Sequence, residues 1–295
     1  MHSALNHILI CFTLLFTMTG CSQESQPENP ISTHEGNKED LNFNPAAKAR
    51  EPQWRSNLDQ VKSLEDWPVT RMMFGESNFS LVNDDSGRFS KIMRVTFPRG
   101  SWSPSNTRKA GFPVGGLGFL CNCGMAPRDR VFFRYYVRFK QGFDFVKGGK
   151  LPGLYGGTAN TGGRTPDGKD GFSSRLMWRS KGDGEIYAYL PDTTAPWGNS
   201  IGRGKFRFET GKWYSLEQEV QLNTPGQNNG EVGLWVNGQL AIEQRGLRFR
   251  DVPQLKIEGI IFSTFFGGND ASWATPVTTY IDFADFVLSE SYIGP

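Results

Sequence analysis

The stretch Phe172-Ser173-Ser174-Arg175-Leu176-Met177-Trp178-Arg179, a break at Lys181-Gly182-Asp183-Gly184, then Glu185-Ile186-Tyr187-Ala188-Tyr189-Leu190 reads as one β-hairpin. Both arms alternate with a period of two, and successive side chains of a strand point to opposite faces. In the first arm Phe172, Ser174, Leu176 and Trp178 share one face, while Ser173, Arg175, Met177 and Arg179 share the other. In the second arm Ile186, Ala188 and Leu190 read as core, which turns Tyr187 and Tyr189 away from it. For the polar sets to coincide, the turn must have odd length, three or five residues on the usual hairpin geometries, with Gly184 at positive φ. The non-core face then collects Ser173, Arg175, Arg179, Tyr187 and Tyr189, either as a solvated face or as a site.

The same alternation extends outward from this hairpin. Val131–Lys140 is aromatic and β-branched, with Arg134, Tyr136 and Arg138 at alternate positions. Trp213–Leu222 separates Tyr214, Leu216, Val220 and Leu222 from Ser215, Glu217, Glu219 and Gln221. Glu231–Val236 runs into Asn237-Gly238, a strong two-residue hairpin signal. Ile260–Phe266 and Thr278–Leu288 are further strand-like runs. No long segment keeps a helical period and no fixed repeat is visible, while 35 glycines and 17 prolines suit short strands joined by turns. These features predict an all-β fold: a β-sandwich of jelly-roll type, two antiparallel sheets with a groove on one face.

The N-terminal apolar run Ile8–Met18 is too short to span a bilayer and ends at Met18-Thr19-Gly20-Cys21, which has the form of a lipoprotein cleavage site. Residues 1–21 are therefore expected to be a signal peptide. Cys21 is expected to be lipidated and to tether the chain to a bacterial envelope, with Ser22 favouring the outer membrane; a cleaved signal to the periplasm or medium is the alternative. Residues 22–50 are polar and carry too little apolar surface to order themselves, so they read as a linker, leaving 51–295 as one domain. The linker is net −2 and the signal carries no Lys, Arg, Asp or Glu, so the overall +2 leaves net +4 on the domain. That mild excess suits a polyanionic substrate and falls far short of a nucleic-acid footprint.

Histidine, three in all, occurs only at positions 2, 7 and 34. The domain thus has no histidine base, no Ser-His-Asp triad and no histidine ligand, and proton transfer falls to Tyr, Lys, Asp or Glu. Cys121 and Cys123 favour a free or structural thiol pair over a strained i,i+2 disulfide, and no further Cys or His completes a metal site. Neither a metal nor another cofactor is expected, and the chain is expected to act as a monomer. Trp102, Trp197 and Trp273 are candidate sugar-stacking platforms, and the glycine-rich segment 156–170 reads as a flap or a solvated loop.

Gly148-Gly149-Lys150-Leu151-Pro152-Gly153-Leu154, the Phe172–Arg179 run and Tyr187-Ala188-Tyr189 together resemble polysaccharide lyase family 14, the β-jelly-roll alginate lyases and related glucuronate-polymer lyases. The similarity extends from about Val95 to Leu288 and includes Pro98-Arg99-Gly100-Ser101 and Phe265-Phe266-Gly267-Gly268. The resemblance implies an active site of Lys150, Ser173, Arg175, Tyr187 and Tyr189. It implies cleavage of acidic 4-linked polyuronates by β-elimination. Arg179, Arg134, Tyr136 and Arg138 are added as candidate substrate-binding residues.

The residue types suit that chemistry. A C5 proton beside a charged carboxylate is very weakly acidic, so cations must neutralise the developing enolate-like charge. Arg175 offers a planar fork and Lys150 a point charge. Cations near a phenol favour phenolate, which makes Tyr187 or Tyr189 a usable base, with Tyr189 preferred. Ser173 is expected to bind substrate or orient Arg175. Two alternatives remain: a glycoside hydrolase, whose carboxylate pair Glu217 and Glu219 meet only crudely in the absence of an E-x-D-x-x-E pattern, and a non-catalytic carbohydrate-binding protein.

Overall fold

The computed structural model describes residues 51–295; the expected signal segment 1–21 with Cys21, and the expected linker 22–50, lie outside the described residues. The strands are β1 Trp54–Arg55, β2 Val69–Phe74, β3 Phe79–Asn83, β4 Lys91–Phe97, β5 Leu117–Cys121, β6 Arg130–Phe139, β7 Gly148–Gly157 and β8 Gly171–Arg179. They continue with β9 Gly184–Tyr189, β10 Asn199–Ile201, β11 Trp213–Gln221, β12 Gly230–Val236, β13 Gln239–Leu247, β14 Gly259–Phe266 and β15 Thr279–Ser289. A single short α-helix, Pro104–Lys109, accompanies them among the described residues.

The strands form two antiparallel sheets. One has the order β13-β12-β11-β6-β15-β4-β3, with β1 added beside β15; the other has the order β10-β9-β8-β7-β14-β5-β2. Between them lies an aromatic core centred on Trp178, whose ring meets Phe97, Phe139, Phe143 and Phe266 edge-on at centroid distances of 5.4 to 6.5 Å. Two polar ties cross this core. Gln218 Nε2 of β11 donates to Ser174 Oγ of β8 at 2.9 Å, and the Tyr135 hydroxyl of β6 donates to the Pro152 carbonyl of β7 at 3.2 Å. Each satisfies polar groups that would otherwise be costly inside the sandwich.

The expected hairpin is β8–β9, with Ser173 opposite Tyr189, Arg175 opposite Tyr187 and Trp178 opposite Gly184. The connection 179–183 has the required odd length. The positive φ falls at Lys181 (61°) and Gly182 (84°) instead of Gly184, which stays extended under the Phe206 ring. The Asn237-Gly238 turn adopts φ of 51° and 79°, both left-handed, as a type I′ hairpin requires.

The β7 strand was less legible. Its register slips between Leu151 and Gly153, where Pro152 lacks an N–H for the ladder and turns its carbonyl to Tyr135. The slip reverses the alternation, so that Lys150 lies beside Met177 on the outer face while Leu151 and Leu154 both enter the core. Cys121 and Cys123 also depart from expectation: they form a disulfide. The chain leaves β5 at Cys121 and turns left-handed at Cys123 (φ 53°), which brings the Cα atoms to 5.2 Å, inside the bridging range.

Candidate active site

Four strands of the second sheet deliver the candidate side chains to its outer face. β7 brings Lys150, β8 brings Arg175, Met177 and Arg179, β9 brings Glu185, Tyr187 and Tyr189, and β14 adds Ser263 and Phe265. Lys150 Nζ stands 4.4 Å from the Tyr187 ring centre, and the Arg179 guanidinium stands 5.6 Å from it. The Arg175 guanidinium lies 6.0 Å from the Tyr187 ring and 5.8 Å from that of Tyr189. The two tyrosine rings meet edge-on at 5.8 Å. Lys150, Arg175, Arg179, Tyr187 and Tyr189 therefore form one cluster.

The charges of this cluster are unbalanced. Its carboxylate, Glu185, is fully buried and already held by Arg179, Arg203 and the Ser200 hydroxyl. Arg175 is 2% exposed, donates to the Ser263 hydroxyl at 3.4 Å, and leaves its buried Nε without a hydrogen-bond partner among the described residues. Among the described residues, neither Arg175 nor Lys150 has a carboxylate within ion-pair distance. Burial, reinforced by Arg175 and Arg179, holds the Lys150 ammonium well below its usual value, with Glu185 partly opposing. Burial likewise lowers Arg175. An uncompensated buried cation is expensive, and a pair of them is a receptacle for an anion.

The tyrosines differ from expectation in one respect. Burial pushes the Tyr187 phenol up, the Tyr189 hydroxyl beside it adds to the rise, and Arg175 and Arg179 only partly oppose this. The expectation that neighbouring cations lower a tyrosine does not hold for Tyr187, because its face of the sheet is covered. The Tyr189 oxygen accepts a hydrogen bond at 3.0 Å from the Gly163 backbone N–H of the segment between β7 and β8.

Ser173 is placed by the hairpin beside Tyr189 but does not point at open space. It is 0% exposed and its Oγ donates to the Asn160 carbonyl at 2.6 Å, so it neither reaches substrate nor touches Arg175. Nor is the segment containing Asn160 a loose flap. Asn160 Nδ2 donates to Asp170, Arg164 pairs with the same carboxylate, and the Asp251 N–H donates to the Gly168 carbonyl.

Arg134, Tyr136 and Arg138 are corrected as substrate-binding candidates. They lie on β6 in the other sheet, whose inward positions are Phe133, Tyr135, Val137 and Phe139, so they face away on the opposite side of the sandwich. There Arg134 pairs with Asp285, Arg138 pairs with Asp282, Asp84 and Asp85, and Arg134 stacks over Tyr136. Glu217 and Glu219 occupy that same remote face. Glu217 accepts the Ile293 and Gly294 N–H groups, and Glu219 pairs with Arg130. The carboxylate pair of a hydrolase is thus remote from the cluster.

Of the tryptophans, Trp102 is buried and Trp273 packs on Gly268, whereas Trp197 is 46% exposed and borders Gly163. Sequence reading missed Met177, Ser263, Phe265, Ser200 and Arg203. The last two come from and follow a three-residue strand, too short to show a period. No group of three or more His, Cys, Asp or Glu side chains able to hold a metal occurs among the described residues.

The sequence profile of the family described as Polysaccharide lyase 14 matches residues 85–286. No curated protein matches the chain. Among solved structures, the marine PL-14 alginate lyase from Aplysia kurodai is 33% identical, over 75% of this chain and 89% of that one, with a TM-score of 0.62. An alginate lyase from a Chlorella virus is 22% identical over 76% of this chain and 100% of that one, with a TM-score of 0.60. The endo-β-1,4-glucuronan lyase from the fungus Trichoderma reesei is 10% identical over 81% of this chain and 96% of that one, at a TM-score of 0.55; the last two show likeness of fold alone.

Proposed function

The chain belongs to polysaccharide lyase family 14, and from that membership we propose that it cleaves 4-linked uronate polymers of the alginate or glucuronan kind by β-elimination. The observation that carries this reading is a pair of cations with no carboxylate in ion-pair distance among the described residues, buried Arg175 and half-buried Lys150, set against two tyrosines. A uronate carboxylate supplies the missing counter-charge. Once bound by the Arg175 fork and the Lys150 ammonium it no longer opposes carbanion formation at C5. A tyrosine phenolate takes the C5 proton, the C4–O4 bond breaks as the C4=C5 double bond forms, and the departing oxygen receives a proton from one of the two phenols. Products are one fragment with an unsaturated uronate at its non-reducing end and another with a new reducing end.

Arg179 lies beside Tyr187 but is shared with Glu185, so it helps set the field of the groove and is less free to bind a carboxylate. We also place the enzyme on the bacterial envelope through lipid at Cys21, with an acidic polysaccharide as its partner; the support is the Ile8–Cys21 pattern. The test is to mix purified protein with alginate, its block-defined fractions and glucuronan, and to follow the ultraviolet absorbance of the new double bond. Absorbance that rises with one polymer names the substrate. Reducing ends released without absorbance, or no product at all, would overturn the reading.

A further inference from the structure

Ser173 has no obvious task as a site residue. It is fully buried, has no histidine or lysine to activate it, and spends its proton on a backbone carbonyl. What that carbonyl belongs to gives it one. Asn160 begins the turn that carries Gly162 (φ 64°) and Gly163 (φ 85°), consecutive left-handed glycines, and the Gly163 N–H ends on the Tyr189 oxygen. A second brace holds the far side of the turn, where Asp170 accepts from Asn160 Nδ2, Arg164 and the Asp167 N–H.

We infer that Ser173 is a positioning residue for Tyr189: through Asn160 it fixes the turn that aims the Gly163 N–H at the phenolic oxygen, which selects Tyr189 as the base. This rests on the lyase reading above. The physical reason is asymmetric solvation. An N–H aimed at a phenolic oxygen stabilises the phenolate and contributes nothing comparable to the phenol. Among the described residues no backbone N–H is aimed at the Tyr187 oxygen, whose ionisation is opposed by burial first and by its hydrogen bond to Tyr189.

The ionisable groups around Tyr189 leave this contact room to matter. Arg175 of β8 and Tyr187 of β9 face its ring, and Lys150 of β7 stands beyond Tyr187. Tyr155 of β7 lies across Ser173, and Arg164 and Asp170 in the turn pair with each other.

The test uses Ser173→Ala and Asp170→Ala, which loosen the turn from opposite ends without removing either tyrosine. A hydrogen bond to a charged oxygen is worth about 1–2 pH units of ionisation. The ascending limb of kcat against pH should therefore move alkaline by about one unit in both variants. Activity on the acid side should drop about tenfold and largely recover at high pH. An ultraviolet titration of tyrosinate, which needs no substrate, should show one tyrosine moving the same way. If the folded variants lose activity equally at every pH, or lose none, with the tyrosinate titration unmoved, the inference is wrong. Should Ser173→Ala fail to fold by circular dichroism, Asp170→Ala alone decides. Absence of any unsaturated product from the wild type would instead sink the lyase reading, and the spectroscopic shift still judges the tether.

Discussion

Lys150 and Arg175 carry their charge in a place where charge is costly. For a lysine whose folded value lies below its ordinary 10.5, the unfolded chain binds more protons between the two values, so stability rises with pH across that window. Lys150→Met removes the slope. The variant should be more stable than wild type near neutral pH by on the order of 1 kcal/mol, about 2–4 °C in Tm, with the gap closing above the ordinary lysine value. Turnover should fall at least about 10²-fold, as when a charge-stabilising donor is removed. Thermal scans across pH and the double-bond assay check both parts. Tyr189→Phe should lose about 10²–10⁴-fold in kcat while still binding polymer, and Arg175→Lys should rescue Arg175→Ala only in part, because the planar fork is gone. Near-normal turnover in both Tyr189→Phe and Tyr187→Phe would remove the tyrosines from the acid–base role. The shared face of Arg175, Tyr187 and Tyr189 was readable from parity alone, whereas Lys150, on the slipped β7 strand, entered only through the family resemblance. Their burial was not: alternation says which face a side chain takes, and says nothing of whether another segment covers that face.

At the scale of elements, the β8–β9 hairpin was legible because its alternation is uninterrupted over both arms. The β6 strand was equally legible as a strand, yet its polar face joins the wrong side of the sandwich for catalysis. Period fixes two faces for a strand, but only the sheet order says which outer face it shares, and β6 sits between β11 and β15. The Pro152 bulge escaped reading for a related reason, since the decisive partner is the Tyr135 hydroxyl on the facing sheet. A separate prediction belongs to β11 and the C-terminal segment. Glu217 accepts the Ile293 and Gly294 N–H groups, but burial outweighs them and pushes its carboxyl up to about 7 from 4.5. Because the folded form binds the proton more tightly, this group's contribution to stability is fully present below 4.5 and is lost as pH rises through 7. The loss is at most about 3 kcal/mol. Wild type should therefore lose stability relative to Glu217→Gln as pH climbs through that window, and a difference independent of pH would refute the assignment.

On the scale of the whole molecule, the two outer faces have opposite electrostatic designs. On the β6 side Arg134, Arg138 and Arg94 are matched by Asp285 and Asp282, whereas on the β8 side Arg175 and Lys150 have no carboxylate in ion-pair distance among the described residues. Composition could register only the sum of these, a mild positive balance. The N-terminal pattern supports an independent expectation. Cys21→Ser should move the protein from the membrane fraction to the soluble one with its specific activity intact, since the proposed active-site cluster is built wholly from residues beyond 149. Retention of the variant in membranes, with no acyl mass on wild type, would refute the anchor.

The five-residue connection between Trp178 and Gly184 has a consequence for how such a site can be inherited. Parity ties it to the chemistry. A single-codon insertion or deletion between 179 and 183 leaves the chain to choose between burying Ile186 and Ala188 and keeping Tyr187 and Tyr189 beside Arg175. A two-codon change asks for no such choice. In a library of length variants over this turn, active clones should therefore concentrate at even offsets from the parent, and a gene descended with its activity intact should show the same arithmetic.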